Sequence, residues 1–242
     1  MSPMPTVLRP LALPGLLHHV LTTQSSTSPT LLIICSDRAA FLEQLAASLQ
    51  ESHGEPETDE LERLLAPSLH NLLTTRHVRL AFCPSVQALL AYLTAYGQFA
   101  AGSLAEAERK ERVLLVNPLA LHAATPSFSA QGLSRCFATA ADTALKTGVR
   151  LQVVECEGRH SPAAAPTEED VEMETNPETR GETITEDPWE QEVSILNVSV
   201  RRFGSGSGER AWAGRTVKTK MIAGRWFHFE QVDKRQTHSN QE

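Results

Sequence analysis

The chain has 242 residues, of which 41% are hydrophobic, and it carries a formal net charge of -7 at pH 7. This length and composition suit one globular domain with a core of ordinary size. No apolar run approaches the roughly 20 residues that span a bilayer, and the N-terminus lacks the pattern of a secretion signal. We therefore expect a protein that is neither membrane-bound nor secreted.

Four apolar runs of strand length alternate with amphipathic helices in the first two thirds of the chain. The predicted strands are residues 30–35, 78–83, 113–116 and 149–155. The predicted helices begin at Asp37 after a Ser36 cap, run near residues 61–73, begin at Pro84, and run from Ser129 to Lys146, ending at Gly148. Continuous apolar strands separated by helices are typical of a parallel sheet that is covered on both faces.

The remaining segments differ in composition from these βα units, and the chain as a whole divides into five parts. Residues 1–29 are interpreted as a flexible or partner-binding segment, and residues 30–156 as the α/β core. Residues 157–187, rich in Pro, Ala, Thr and Glu, are predicted to be a disordered acidic insertion. In residues 188–231, strands over 193–203, 211–221 and 225–229 are predicted to form an antiparallel meander that completes the domain. Residues 232–242 are expected to be a disordered tail.

The four cysteines are far apart, and none forms a CxxC pair. They are Cys35, Cys83, Cys136 and Cys156. This spacing indicates neither a zinc site nor a disulfide framework, and it favours four buried core residues. We expect no metal.

Several patterns resemble the RecA-like ATPase core. Residues 112–118, which read RVLLVNP, are similar to the Walker B strand, and residues 132–154 are similar to the helix and strand that follow it. Residues 188–189, 196–197 and 215–218 resemble the segment that leads into the closing hairpins of that family. The resemblance implies an α/β fold with a RecA-like core, in which helices flank a mostly parallel sheet and a C-terminal antiparallel β-meander follows.

The residues that would hold and hydrolyse ATP in such a core are missing. A phosphate-binding loop reads GxxxxGK[ST], whereas residues 35–40 read CSDRAA. Ser36, Asp37 and Arg38 thus form a degenerate P-loop, and an acidic group at a helix N-terminus repels phosphate. Asn117 stands where the Walker B aspartate is expected. We predict no nucleotide cofactor, no catalytic residue and no ATP hydrolysis.

One further catalytic interpretation remains. His122 follows the third predicted strand, where α/β enzymes often place functional groups. No partner for this histidine can be identified from the sequence, so an enzyme that uses His122 is the least favoured function.

RecA-like paralogues without a P-loop resemble two kinds of subunit. One kind belongs to recombination-accessory assemblies such as the Shu complex, and the other to the Elongator accessory ring, which acts on tRNA. Both imply a paralogous RecA-like protein as partner. The charge distribution favours DNA: acidic residues concentrate between residues 155 and 192, and the chain turns basic after residue 200.

Six basic side chains in this C-terminal region are expected to contact nucleic acid. They are Arg201, Arg202, Arg210, Arg215, Lys218 and Lys220. The leading hypothesis is a nuclear, non-catalytic subunit of a DNA-repair complex. The alternative is an Elongator-like subunit in tRNA wobble modification, which would be cytoplasmic.

Overall fold

The computed structural model describes residues 4–24, 28–51, 69–101, 111–157, 187–195 and 215–230. Ten strands lie in these ranges: β1 (Thr6–Val7), β2 (Leu11–Ala12), β3 (Thr30–Ile34), β4 (Val78–Phe82), β5 (Arg112–Val116), β6 (Arg150–Val154), β7 (Cys156–Glu157), β8 (Glu192–Ser194), β9 (Thr216–Lys218) and β10 (His228–Phe229). The α-helices of the same ranges are α1 (Leu13–Thr23), α2 (Arg38–Glu51), α3 (Leu69–Thr75), α4 (Val86–Ala101), α5 (Pro118–Ala123), α6 (Ala130–Thr147) and α7 (Thr219–Ala223). A short 3₁₀ helix spans Pro188–Glu190.

Six strands form one parallel sheet in the order β10-β1-β6-β5-β3-β4. In the register of β3, Leu32 pairs with Leu80 of β4 on one side and with Leu114 of β5 on the other. Strands β8 and β9 form a separate antiparallel pair. The predicted α/β class, with a parallel sheet flanked by helices, is confirmed.

The strands at the centre of the sheet are buried because each contributes to a core on both faces. In β3, Leu31 and Ile33 belong to one apolar cluster, whereas Leu32 and Ile34 belong to the other. The first cluster includes residues of α4 and α6, and the second includes residues of α1 and α2. All four cysteines are buried as free thiols, which confirms their interpretation as core residues.

Helix α6 shows how local sequence sets the boundaries of an element. The side chain of Ser129 accepts a hydrogen bond from the Gly132 N–H at 3.2 Å, and Gly148 ends the helix with a left-handed φ of 69°. These are the expected roles of a serine N-cap and a glycine C-cap. None of the described helices has both the length and the apolar composition that crossing a bilayer requires.

The described part of the N-terminal segment belongs to the folded domain, which differs from the prediction of a flexible segment; the alternative, that it binds a partner, stays a prediction. Strand β1 lies inside the parallel sheet, between β10 and β6. Helix α1 buries Leu13, Leu16 and Val20 in the second core cluster. A two-residue strand is too short to show a hydrophobic period, and Pro14 is no helix breaker because it lies in the first turn of α1.

The C-terminal region also differs from the predicted meander. The predicted strand 211–221 stops at Lys218, because α7 begins at the next residue, where the Thr219 hydroxyl donates to the Trp189 carbonyl at 2.8 Å. The predicted strand 225–229 is reduced to β10, which pairs in parallel with β1 at the edge of the main sheet. Of the antiparallel meander, the described residues contain the β8–β9 pair.

Several predictions fall on segments outside the described residues. They include the first part of the helix near residues 61–73, the acidic insertion apart from its two ends, the tail, and residues 196–214 of the predicted meander. One helix start and one loop are corrected. The Ser85 hydroxyl accepts from the Ala88 N–H at 3.1 Å, so α4 begins after Ser85 and Pro84 precedes its cap. The predicted loop after β5 contains α5.

A matched pair of glycine substitutions tests the packing at α6. A Cβ added at Gly132 would lie 2.1 Å from the Ser127 carbonyl oxygen, whereas one added at Gly97 of α4 would lie 3.7 Å from Thr143. We expect Gly132→Ala to lower the free energy of unfolding by about 1–3 kcal/mol. Gly97→Ala should raise it by about 0.5–1 kcal/mol, because alanine restricts the unfolded chain. Urea denaturation measures both, and equal effects would contradict the packing described.

Candidate functional site

The strand order places a topological switch point between β3 and β5. From β3 the chain continues to β4 on one side, and from β5 it continues to β6 on the other. In chain order these four strands run 2-1-3-4, which is a doubly wound arrangement, and such sheets bind ligands at the carboxyl ends of the strands beside the switch point. Many unrelated functions share this order, so the order alone does not identify the RecA-like family. The two degenerate motifs nevertheless meet here.

At the carboxyl end of β3, the degenerate P-loop forms a capped turn. Cys35 is buried and its N–H donates to the Val116 carbonyl of β5 at 3.0 Å. The carboxylate of Asp37 accepts from the Ala40 N–H at 2.9 Å, so Asp37, and not Ser36, caps α2. This carboxylate occupies the position at which a helix N-terminus would hold a phosphate. Arg38 is exposed on the first turn.

At the carboxyl end of β5, Asn117 turns the chain into α5. Its φ of 59° is left-handed, a conformation that asparagine tolerates better than most residues. Its N–H donates to the Val154 carbonyl at 2.9 Å, and its side-chain oxygen accepts from the Cys156 N–H at 2.6 Å. Asn117, which was predicted to stand at a Walker B position, therefore ties β5 to the end of β6.

Glu155, at the carboxyl end of β6, is a buried carboxyl group that sequence reasoning missed. It is 0% exposed, and its Oε1 accepts from the Leu119 N–H of α5 at 2.5 Å. Burial raises the pKa of Glu155 to about 8, although backbone hydrogen bonds from Leu119 and Ala120 oppose the shift. Its position directly after an apolar strand was the available signal, because parallel strands place such residues at the ligand-binding edge.

His122 lies on α5 at the same edge and is also 0% exposed. Its Nδ1 lies 2.8 Å from the Pro118 carbonyl, which can only accept, so the proton is on Nδ1 and Nε2 carries a lone pair. Burial lowers the pKa of His122, which keeps the ring neutral at neutral pH. Among the described residues, neither Nε2 of His122 nor Oε2 of Glu155 has a hydrogen-bond partner.

The thiols at this edge are poor nucleophiles. Burial raises the pKa of Cys35, and nearby Cys136 and Glu155 add to the effect. Burial also raises the pKa of Cys136 to about 12. A thiol that stays protonated neither attacks a substrate nor binds a metal readily. Among the described residues, no three His, Cys, Asp or Glu side chains converge in a way that could hold a metal ion.

Together, these contacts occupy three backbone donors at the switch point, and we call the switch point closed in that sense. The N–H groups of Ala40, Leu119 and Cys156 each already donate to a carboxylate or an amide oxygen. A phosphate that bound here would have to displace these acceptors, and two of the three acceptor groups are acidic residues.

Three of the six predicted nucleic-acid contacts, Arg215, Lys218 and Lys220, are described, and they lie on or next to the antiparallel pair. Lys218 and Lys220 place their Nζ atoms 2.8 Å and 2.9 Å from the carboxylate oxygens of Glu190. Hydrogen bonds with the two lysines lower the pKa of Glu190 to about 2. Arg215 is exposed, and its side chain makes no ion pair with the described residues.

The other three predicted nucleic-acid contacts, Arg201, Arg202 and Arg210, lie outside the described residues. The structure thus brings two of the six predicted basic residues together, with an acidic residue between them. No protein-family model matches the chain, and a search of curated proteins finds no match either.

The buried carboxyl group of Glu155 should make stability depend on pH. Its pKa is about 4.5 when unfolded and about 8 when folded, so the folded state binds more protons and stability falls as pH rises between these values. Each pH unit in this window costs about 1.4 kcal/mol, a total on the order of a few kcal/mol. Glu155→Gln keeps an acceptor for the Leu119 N–H but cannot ionise, so its stability should no longer fall as pH rises through this window.

Urea midpoints measured from acid to mildly alkaline pH test this expectation. Glu43→Gln, which changes an exposed carboxylate on α2, is the matched control and should keep the wild-type pH dependence. A Glu155→Gln profile that parallels the wild type would show that Glu155 ionises normally in the folded protein.

Proposed function

We propose that this chain is a non-catalytic subunit of a recombination-accessory complex in DNA repair, and that it acts by binding a related RecA-like partner subunit and DNA. The observation that carries the proposal is the closed switch point. A doubly wound sheet would normally bind its ligand there. In this chain the backbone donors of that edge are already used by Asp37, Asn117 and Glu155.

The loss of catalysis follows from what each of these groups does. Asp37 puts negative charge at the N-terminus of α2, where a phosphate would bind, and it satisfies an N–H there. The side-chain oxygen of Asn117 is engaged with the backbone, so it is not free to hold Mg²⁺. His122 bonds to the carbonyl of its own helix. A subunit without a substrate site acts through its partners, and a nuclear DNA-repair complex fits the resemblance stated above.

The proposed contact with DNA depends on the C-terminal basic residues. Arg215 is exposed and unpaired within the described part of the chain, and guanidinium groups suit phosphate contacts. Lys218 and Lys220 form exposed ion pairs with Glu190, and such pairs contribute little. A phosphate backbone can therefore compete with Glu190 for these lysines. Glu190 should weaken the affinity for DNA.

The non-catalytic role predicts two results for the full-length chain. Calorimetric titration with Mg·ATP should show no binding, because the donors at the switch point are occupied by the protein itself. Affinity purification from the native cell should recover the chain with a related α/β subunit and recombination proteins. Saturable Mg·ATP binding would contradict the closed site. Recovery with tRNA-modification proteins would instead support the Elongator-like alternative.

Three charge variants test the proposed DNA contact by fluorescence anisotropy with labelled DNA. Arg215→Glu should weaken binding and reduce the salt dependence of log K by about 1. Glu190→Gln should tighten binding, because it frees two lysines and removes one negative charge. Glu43→Gln removes the same charge from α2, so it should leave the affinity close to that of the wild type.

Equal affinities for all three variants would show that this face does not contact DNA. Unlabelled tRNA serves as a competitor in the same assay. If tRNA displaces the labelled DNA from the chain far more effectively than unlabelled DNA of equal length does, the nucleic-acid partner is RNA. That result would contradict the DNA-repair role.

A further inference from the structure

The two edges of the main sheet are protected very differently. One edge strand, β10, has two residues, and the Lys220 ammonium lies 5.8 Å from the Phe229 ring centroid there. The other edge strand, β4, has five residues in continuous register with β3, and β3 is its sole strand neighbour in the described structure. Natural edge strands are usually short, bulged or interrupted by proline or charge. Strand β4 is thus a regular edge of ordinary length, as long as the central strands β3, β5 and β6.

Three alternate residues of β4 point their backbone hydrogen-bonding groups away from β3, toward the open edge of the sheet. The Thr30 N–H donates to the His77 carbonyl and the Cys83 N–H donates to the Ile34 carbonyl, each at 2.8 Å. In a parallel ladder, bonding residues alternate along the strand. The odd-numbered residues of β4 therefore point their backbone groups toward β3. Val78, Leu80 and Phe82 point theirs away from it.

This spacing is self-complementary about Leu80. In an antiparallel pair of two β4 strands with Leu80 opposite its own copy, Val78 lies opposite Phe82 of the other chain. All three outward residues then fall in hydrogen-bonded pairs, in which both N–H groups donate to the opposite carbonyls. The register also sets a β-branched residue against an aromatic one, which is a favourable cross-strand pair.

The side chains of β4 allow this pairing. Leu80, in the middle of the strand, is 53% exposed, and Leu72 and Leu73 of the preceding helix α3 are also exposed. Arg79, the one charged residue of β4, forms an ion pair with Glu111, which also accepts from the Tyr96 hydroxyl at 2.5 Å. In the two-fold register Arg79 lies opposite Ala81, so like charges do not face each other.

We propose that β4 pairs with β4 of a second copy of this chain across a two-fold axis at Leu80, which joins the two parallel sheets into one continuous sheet. The apolar edge and its self-complementary backbone favour an identical chain as the occupant. The inference goes beyond the proposed function, because neither DNA binding nor the closed switch point enters it. Its failure would leave both of those intact.

Sedimentation velocity of the purified chain should show a concentration-dependent dimer. Leu80→Lys should raise the dimer dissociation constant by about ten-fold or more, because two ammonium groups would face each other across the axis. The side chain is already half exposed, so the variant should keep the wild-type circular dichroism spectrum. Its melting temperature should equal that of the wild type at concentrations where the wild type is monomeric. Leu145→Lys, at a 70% exposed leucine of α6, is the matched control and should dimerise normally.

A cysteine at the axis tests the register itself. Directly opposed residues of a hydrogen-bonded antiparallel pair have Cα atoms about 5.5 Å apart, which is within the range of a disulfide. Leu80→Cys should therefore cross-link the dimer under mild oxidation, whereas Leu145→Cys should not. The native thiols are all buried and should remain reduced.

Three results would each overturn the inference. The first is a wild-type chain that stays monomeric at high concentration. The second is a dimer that Leu80→Lys leaves intact, and the third is a Leu80→Cys dimer that fails to cross-link. Glu190→Gln and Arg215→Glu should dimerise like the wild type, since β9 and the 3₁₀ helix lie outside the proposed interface. The DNA assay therefore succeeds or fails independently of this one.

Discussion

Backbone N–H groups at the carboxyl ends of β5 and β6 need acceptors, because Leu119 and Cys156 are buried there. An unpaired backbone group buried away from water costs about as much as a lost hydrogen bond. In a nucleotide-binding α/β protein, the phosphate oxygens of the ligand accept many of these hydrogen bonds. Here the acceptors are side chains of the protein itself: Asp37, Asn117 and Glu155. The edge is complete without a ligand.

This solution has a cost that falls on Glu155 and His122. Each is fully buried, and each leaves one side-chain atom without a partner among the described residues. A buried polar atom without a partner is destabilising. Keeping Glu155 protonated and His122 neutral limits the cost, since an uncompensated buried charge would be far more expensive. These two buried groups therefore link the stability of the core to pH.

The sequence predicted the elements whose signals are local and long. The sequence predicted the continuous apolar run of β3 and the end of α6 at Gly148, and it placed the start of α6 at Ser129, one residue before the helix begins. Strand β1 could not be predicted, because two residues carry no period and its pairing with β6 depends on residues far along the chain. The role of Glu155 was missed for a similar reason. Its partner, Leu119, is 36 positions away, and the acid was counted with the acidic segment that follows.

The same limitation applies to charge. Counting along the sequence assigned Lys218 and Lys220 to a basic region and Glu190 to an acidic one. The fold brings them within hydrogen-bond distance, since β8 and β9 pair antiparallel. Charge that is segregated along the chain is thus partly neutralised in space. A polyanion contacts Lys218 and Lys220 only if it binds these lysines more favourably than Glu190 does.

An exposed ion pair of this kind weakens as salt rises, but so does the attraction to a phosphate backbone. The competition is therefore decided by the number of phosphates contacted at once. For that reason the unpaired Arg215, which has no internal competitor among the described residues, matters more to nucleic-acid binding than its single charge indicates.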